Sequence, residues 1–117
     1  MEFLNRIEII GLVGSKRTTG VGDTSVTHFS VAVEYGHEDK DGTRTIETQW
    51  FNVMAWDNEG TADAKLLKKG DCVSISGRLR TYRFTDADGN ARNGHEIVAR
   101  TVSLLPEETG KMKPQHD

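Results

Sequence analysis

The sequence predicts an all-β domain of five strands, with one short helix between the third and fourth strands. Five stretches alternate apolar and polar side chains, which is the pattern of half-buried strands. Turn-forming residues, including two Asp-Gly pairs, separate these stretches. The alternation stops at residues 57–71, where capping residues and a late glycine indicate a helix. With 117 residues and 35% hydrophobic content, the chain is one domain with one modest core.

The first predicted strand covers residues 6–13. Ile10 and Leu12 put apolar side chains on the face that strict alternation would leave polar. A strand that is apolar on both faces is buried on both sides or packed on a partner. Residues 15–25 are predicted as a surface loop, because glycines, hydroxyl groups and charges dominate them. The loop has two candidate phosphate contacts, although solvated loop charges are the more common outcome: Lys16 and Arg17.

The second predicted strand covers residues 27–35 and points Phe29, Val31 and Val33 inward. Tyr35 falls on the same inward parity at the end of the strand. Asp41-Gly42 then predicts a two-residue hairpin turn. Two cationic residues flank this turn and could reach a nucleic acid: Lys40 and Arg44.

The third predicted strand, residues 48–56, carries both tryptophans of the protein. Phe51, Val53 and Ala55 form a wholly apolar set on one face of the strand and suit a core. The tryptophans are then left on the opposite face. Trp50 and Trp56 would lie about 20 Å apart along the strand. Either a helix, a loop or a second subunit covers them, or their rings are stacking platforms for unpaired bases. Each such platform is worth about 1–3 kcal/mol.

Residues 57–71 are predicted to form one short helix that closes one end of the β structure. Asp57 or Asn58 can cap it, and Gly70 follows its cationic end. The predicted apolar positions are Ala62, Ala64, Leu66 and Leu67. Three lysines are interpreted as a solvated face: Lys65, Lys68 and Lys69.

The fourth predicted strand, residues 72–84, combines cationic and aromatic side chains on one face. Its inward parity holds Val73, Ile75, Gly77 and Leu79. Its outward parity holds Arg78, Arg80, Tyr82 and Phe84. Guanidinium groups attract phosphates and also stack on flat rings, so this face suits a groove for a single strand. The alternative is an exposed strand made soluble by arginine.

Residues 85–94 are predicted as a hairpin tip around Asp88-Gly89, in preference to a calcium loop, because the ligand spacing differs from an EF-hand. The last strand is predicted at residues 95–105. It would place Ile97, Ala99 and Thr101 on one side and Val98, Arg100 and Val102 on the other. Residues 1–105 thus form the domain, and the polar end at 106–117 is expected to be poorly ordered.

Bulk properties exclude several classes of protein. The single cysteine, Cys72, rules out an internal disulfide or a cysteine-cluster metal site and fits a reducing cytoplasm. The net charge of −3 argues against a basic protein that coats duplex DNA. No apolar run approaches the ~20 residues that span a bilayer, and no signal peptide is evident. The four histidines show no metal-ligand spacing, and no nucleophile motif occurs, so neither catalysis nor a cofactor is expected.

Five strands with a short helix between strands three and four is the order of the OB-fold, a partly open Greek-key barrel that binds oligonucleotides or oligosaccharides. The chain also resembles a known family, the bacterial-type single-stranded DNA-binding proteins (SSB), from about Asn5 to Leu105. No single motif is specific to this family, whereas the presence of all of them in the same order is specific. The motifs are NRIEIIGLVG, FSVAVEY, ETQWFNVMAW, LLKKGDCVSISGRLRTYRFTDADG and HEIVA.

The resemblance implies that Trp50, Trp56 and Phe84 stack on bases, with a further aromatic near Tyr35. Arg80 and Arg83 match basic positions of the family; strand parity supports Arg80 but not Arg83. The candidate stacking residues are therefore Trp50, Trp56, Phe84, Tyr82 and Tyr35. The candidate phosphate contacts are Arg78, Arg80, Arg83, Lys40, Arg44, Lys16 and Arg17.

The resemblance also implies a homotetramer, or less often a dimer. Bacterial members usually end in an acidic, hydrophobic tip that recruits repair proteins. This sequence ends in KMKPQHD, so recruitment by that route is not expected. A shortened, plasmid, phage or mobile-element version, or a trimmed chain, would have such an end.

The working hypothesis is a cytoplasmic, nucleoid-associated protein that coats unpaired DNA without sequence preference and performs no chemistry. One rival is a protein-interaction subunit with both tryptophans under a partner. Another is an RNA-binding module of the cold-shock or tRNA-binding kind. A hydrolase lacks a candidate site.

Overall fold

The computed structural model describes residues 1–106 and 115–116. The strands are β1 (Ile7–Val21), β2 (Thr24–Glu38), β3 (Arg44–Trp56), β4 (Cys72–Thr85), β5 (Ala91–Leu104) and β6 (Gln115–His116). One 3₁₀ helix, Glu59–Leu66, lies between β3 and β4. The two residues of β6 pair in parallel with Tyr35 and Gly36. Most of the polar end expected to be poorly ordered lies outside the described residues.

β1 closes the sheet into a five-stranded barrel because it pairs with both β2 and β4. β2 also pairs antiparallel with β3, β3 pairs in parallel with β5, and β5 pairs antiparallel with β4. The parallel contact is a short seam of two residue pairs, Val53 with Ile97 and Met54 with Val98. The predicted OB-fold is confirmed.

The core occupies the barrel interior and matches the predicted inward parity of the first three strands. Val31 and Val53 are fully or almost fully buried, and Phe51 packs against this core at its edge. The buried cluster consists of Val13, Phe29, Val31, Val53, Ala55, Ala64, Leu67, Val73, Ile75, Ile97, Ala99 and Val102. Burial of apolar side chains at alternate positions of β1 to β5 is the main stabilising term.

The 3₁₀ helix closes one end of the barrel, as predicted, but with a different buried face. Thr61, Ala64 and Leu67 are buried, whereas the predicted positions Ala62 and Leu66 are exposed. The buried residues recur every three positions because a 3₁₀ helix has three residues per turn. The cap is Asn58, whose side-chain oxygen accepts hydrogen bonds from the amides of Gly60 and Thr61 in a capping box with Thr61.

The predicted surface loop at residues 15–25 is wrong, because β1 continues to Val21 as a hairpin with β2. The register runs from Lys16 opposite Phe29 to Val21 opposite Thr24. Both faces of a projecting two-stranded ribbon are exposed to water, so its residues are polar on both faces. The sequence therefore lacks the alternation by which a strand is predicted.

The predicted parity of the last strand is wrong beyond Ala99. Ser76 pairs with Thr101 and Gly77 with Ala99, so Arg100 is an extra residue that forms a bulge. A bulge moves the following side chains to the opposite faces. Val102 is consequently buried and Thr101 exposed.

Leu79 is 42% exposed, although the predicted parity placed it inward. It lies where β4 begins to leave the barrel as a ribbon with β5, residues 80–96, which we call the β4–β5 ribbon. The amide and carbonyl of Leu79 bond the side chain of Asn5, which fixes the N-terminal segment beside β4.

Both predicted Asp-Gly hairpins exist, but the first has a three-residue turn rather than the predicted two-residue turn. In each hairpin the backbone amide of the aspartate that begins the turn donates to the carbonyl of the residue four positions later. The carbonyl of the same aspartate accepts a hydrogen bond from the glycine amide. The two turns are residues 39–43 and 86–90. Gly42 and Gly89 have φ of 86° and 84°, which other residues rarely adopt.

Candidate nucleic-acid interface

The two tryptophans lie on the outer face of β3, as the alternation predicted. Trp50 is 61% exposed and Trp56 is 40% exposed. Asn52 is exposed on the same face between them. The interpretation in which other parts of the chain cover both rings is therefore wrong for the described residues.

Trp50 reaches across β2 to β1. Its cross-strand partner is Ala32, yet its ring lies over Gly14, beside the hydroxyl of Ser30. Ser30 stands opposite a bulge at Gly14 and Ser15, and its hydroxyl accepts a hydrogen bond from the Ser15 amide at 3.0 Å. The ring thus spans three strands and leaves much of its surface open to solvent.

A second aromatic group lies on the β4–β5 ribbon. The rings of Tyr82 and Phe84 are 6.0 Å apart and tilted by 42°. The Arg80 guanidinium lies 5.3 Å from the centre of the Tyr82 ring. Phe84 is 45% exposed, whereas Tyr82 is partly buried. The predicted interleaving of cationic and aromatic side chains is present.

A groove on the outer face is lined by Tyr82 of the second aromatic group and by Ser30, whose hydroxyl lies near the Trp50 ring. Its lining includes Lys16, Arg17, Ser30, Asn52, Tyr82 and Glu96. β3 and β4 are not hydrogen-bonded neighbours, because β5 lies between them. The groove nevertheless brings Asn52 of β3 to the same surface as Tyr82 of β4.

Several polar residues of this groove are not among the predicted site residues. Ser30 and Asn52 point outward on their strands, like the predicted site residues near them, and this parity could have identified them as groove residues. His28 also lines the groove, and its Nδ1 is buried without a hydrogen-bond partner among the described residues. Glu96 could not be selected, because its role depends on which strand lies beside Arg80.

Arg80 is an ion-paired residue in this structure. Its guanidinium donates to Oε1 of Glu96, its cross-strand partner, whose side chain is only 11% exposed. A phosphate would therefore compete with a carboxylate for Arg80. Lys16 donates from Nζ to the carbonyl of Lys65 at 2.6 Å, whereas Arg17 is exposed at the groove wall.

The remaining basic candidates are dispersed. Arg78 lines a separate depression with Arg6 and Arg100. Arg83 has the opposite parity to Tyr82, as expected, and lies beside Asn93 and His95. Two others lie at the end of the β2–β3 hairpin: Lys40 in the turn and Arg44 at the first residue of β3.

Tyr35 is not brought together with the tryptophans. It is partly buried and pairs with Glu47. It lies on the face of β2 opposite to that of Ala32, the partner of Trp50. Its assignment as a stacking residue remains a prediction.

Titratable groups near the site are structural. Burial raises the pKa of the Cys72 thiol, which belongs to a free cysteine inside the protein. A hydrogen bond from Arg92 is the main cause that holds the pKa of Asp86 below its usual value, with help from the amides of Asn90 and Asp88. The described residues contain no group of three or more His, Cys, Asp or Glu side chains that could hold a metal ion.

Within the part of the chain that the structure describes, no helix has the length and apolar character needed to cross a membrane. The only helix there is the short 3₁₀ segment that closes the barrel.

The sequence and the structure are both similar to those of single-stranded DNA-binding proteins. Residues 4–105 match the single-strand binding protein family. The chain is 33% identical to single-stranded DNA-binding protein 1 of Chlorobaculum tepidum over 106 residues, which cover 87% of this chain and 65% of that protein. It is also 33% identical to single-stranded DNA-binding protein 1 of Xylella fastidiosa (strain 9a5c) over 109 residues, covering 90% of this chain and 79% of that one.

The solved complex of Plasmodium falciparum SSB with ssDNA has the same fold. It superposes with a TM-score of 0.80 over 91% of this chain and 98% of that chain, at 23% sequence identity. This chain spans about 65% of the length of the Chlorobaculum tepidum relative, so the comparison concerns the barrel domain. Because the match covers nearly all of the described barrel, the chain belongs to the single-strand binding protein family.

Proposed function

We propose that the protein binds single-stranded DNA (ssDNA) without sequence preference and protects it during replication, recombination and repair. The single observation that carries this proposal is the open groove that has the partly buried Tyr82 ring in its lining and the exposed Trp50 ring beside it. Trp50 lies beside the groove on β3, and Tyr82 lines it from β4. A cleft for a small molecule would enclose its ligand, whereas this surface is open along its length.

Base stacking supplies the sequence-tolerant part of the binding. Every base offers a flat π face, so a ring such as Trp50 accepts any of them. Trp56 and Phe84 would extend the stacking surface, since both rings are substantially exposed. Alanine substitution of one such ring removes about 1–3 kcal/mol per base.

Phosphate contacts supply the salt-dependent part. Arg17 and Lys16 line the groove wall, and Arg80 lies next to the Tyr82 ring. The contacts are few, and the chain carries a net charge of −3, so we expect a modest number of released counterions. No step of this function requires bond making or breaking, and binding to DNA would place the protein at the nucleoid.

Titration of the intrinsic tryptophan fluorescence with oligo-dT tests the proposal. We expect quenching, because a stacked base contacts the indole directly. We also expect log Kd to rise linearly with log salt concentration, with a slope of about 0.7 for each phosphate contact. Trp50→Ala should weaken binding by roughly 5- to 150-fold, the range that one stacked base implies.

Two controls decide what a positive result means. Matched RNA oligomers test the RNA-binding rival, since only RNA offers a 2′-hydroxyl. Thermal unfolding of Trp50→Ala should match the wild type, because its exposed ring contributes little to the core. Unquenched fluorescence at low salt with a folded protein would refute the proposal.

We also propose that the protein is a homo-oligomer, a tetramer or a dimer, joined through the first half of β1. Pairing of β1 with β2 begins at Leu12, so in the described structure one edge of Ile7–Ile10 has no neighbouring strand. Ile10 is 43% exposed on the outer face, and Phe3 and Leu4 nearby are 92% and 84% exposed. An unpaired strand edge flanked by apolar side chains is a ready site for pairing with a second copy.

A further inference from the structure

Two strand glycines provide the bare backbone on which two candidate stacking rings rest. A Cβ atom at Gly14 of β1 would lie 2.5 Å from Cζ3 and 3.0 Å from Cη2 of Trp50, and 2.7 Å from the hydroxyl oxygen of Ser30. A Cβ atom at Gly94 of β5 would lie 2.5 Å from Cζ and 2.7 Å from the hydroxyl oxygen of Tyr82. Carbon atoms pack at about 3.5–4.0 Å, so any side chain at either position would displace the ring.

The backbone itself does not require glycine at these positions. Four described glycines have a positive φ, namely Gly22, Gly42, Gly70 and Gly89, and neither Gly14 nor Gly94 is among them. Other residues could adopt their strand conformation. Glycine inside a strand is normally destabilising relative to alanine, since it orders a more flexible chain and offers no side chain to pack. The space occupied by the ring therefore explains the glycine.

Other glycines of the barrel differ in what occupies that space. At Gly11, Gly60 and Gly77 the atom nearest to an added Cβ would be a backbone carbonyl oxygen, at 2.4, 2.6 and 2.1 Å respectively. Those three glycines allow strands and the helix to approach each other. At Gly14 and Gly94 the nearest atom instead belongs to an aromatic ring of the proposed DNA surface.

We propose that Gly14 and Gly94 are positioning residues, which hold the rings of Trp50 and Tyr82 in the orientation that receives a base. This inference rests on the proposed ssDNA binding. Trp50 is 61% exposed, and contact with the backbone of β1 restricts an otherwise open ring. Tyr82 is restricted in the same way by Gly94, with Arg80 at 5.3 Å from its ring centre on β4. A ring already fixed in its bound orientation loses less conformational freedom when a base stacks on it.

The first test uses Gly14→Ala with Gly20→Ala as its matched control. Both glycines lie on β1 outside the left-handed region, but nothing lies within 4 Å of a Cβ atom at Gly20. A Trp56→Phe background makes Trp50 the sole indole. Without DNA, we expect Gly14→Ala to change the emission maximum and the acrylamide quenching of Trp50, and Gly20→Ala to leave both unchanged.

The second test measures oligo-dT affinity by the anisotropy of a labelled oligomer. We expect Gly14→Ala to bind roughly three- to tenfold more weakly, which is part of the ~5- to 150-fold effect of losing one stacked base. In a Trp50→Ala background the same substitution should have no further effect, because the ring that it displaces is gone. A general loss of stability would instead weaken binding equally in both backgrounds.

The outcomes separate this inference from the proposed function. If the wild type does not bind oligo-dT, the proposed function fails, and the DNA-free fluorescence still reports whether Gly14 seats the ring. If the wild type binds and Gly14→Ala binds equally well, the positioning role is overturned. An unchanged Trp50 signal in Gly14→Ala also overturns it. Gly94→Ala, measured with and without Tyr82→Ala, repeats the test on the β4–β5 ribbon should Gly14→Ala not fold.

Discussion

At the scale of single residues, the ion pair between Arg80 and Glu96 sets how much of the positive charge in the groove is available. Glu96 is nearly buried, so its carboxylate stays close to the guanidinium. The pair also holds Arg80 beside the Tyr82 ring. The Glu96 carboxylate therefore both orients Arg80 and reduces the attraction of Arg80 for phosphate.

Glu96→Gln should strengthen ssDNA binding by about two- to fivefold at low salt, because it keeps the shape of the side chain and leaves Arg80 unneutralised. The slope of log Kd against log salt should steepen by up to about 0.7, the value for one added phosphate contact. Oligo-dT titration across a salt series measures both quantities. Glu59→Gln, on the exposed first turn of the 3₁₀ helix, is the control for the loss of one negative charge. Unchanged or weaker binding by Glu96→Gln would contradict this account.

Residue parity predicted the exposed tryptophans because it depends only on local alternation. It did not predict the pairing of Arg80 with Glu96, which are 16 residues apart and meet through the exact register of the β4–β5 hairpin. The seat of Trp50 on Gly14 likewise depends on the order of three strands around the barrel. Local alternation therefore identified the exposed tryptophans, whereas strand register determined which residues contact the aromatic rings.

At the scale of elements, the β2–β3 and β4–β5 hairpins use the same turn. Each has an aspartate before the turn and a glycine in the left-handed region after two residues. Because β3 and β5 run parallel, both hairpins project from the same end of the barrel. The helix lies between β3 and β4 as predicted, but the long β1–β2 hairpin was missed because its polar ribbon shows no apolar face.

Asp86 should make the β4–β5 turn sensitive to acid. Its folded pKa lies below the ordinary value of about 3.9, so its stabilising contribution is present above that pH and is lost as pH falls through the folded pKa. Amide hydrogen exchange followed by NMR should show that the amides of Asp88 and Asn90, which donate to the Asp86 carboxylate, lose protection below about pH 4. Asp86→Asn should abolish that dependence, while Asp88→Asn should keep it. An acid transition that persists in Asp86→Asn would contradict this assignment.

At the scale of the whole molecule, the first half of β1 leaves one strand edge without a neighbouring strand among the described residues. Leu12 marks where β1 gains its second neighbour, and the residues before it expose one edge. The apolar Ile10, which the sequence already showed to break the alternation, lies on that part of the strand. A second copy is the simplest occupant, since the same edge on two chains can pair with itself.

Ile10→Lys should reduce the assembly state, because a charge on the outer face of β1 would be desolvated in the interface. Light scattering coupled to size-exclusion chromatography should give a multiple of the chain mass for the wild type and a smaller multiple for the variant. Ile46→Lys serves as control, since Ile46 is also exposed, at 61%, but lies on the β2–β3 hairpin. A wild type that is monomeric at every concentration would rule out this interface.

The two-pair seam between β3 and β5 has a consequence for how the surface adapts. It divides the barrel so that the indoles are on one side and the phenol and phenyl rings of β4 on the other. So few bridging hydrogen bonds make a compliant joint, and we expect the spacing between the two sides to vary more than the spacing within either. Such a joint would let purines and pyrimidines, which differ in width, fit between the same walls.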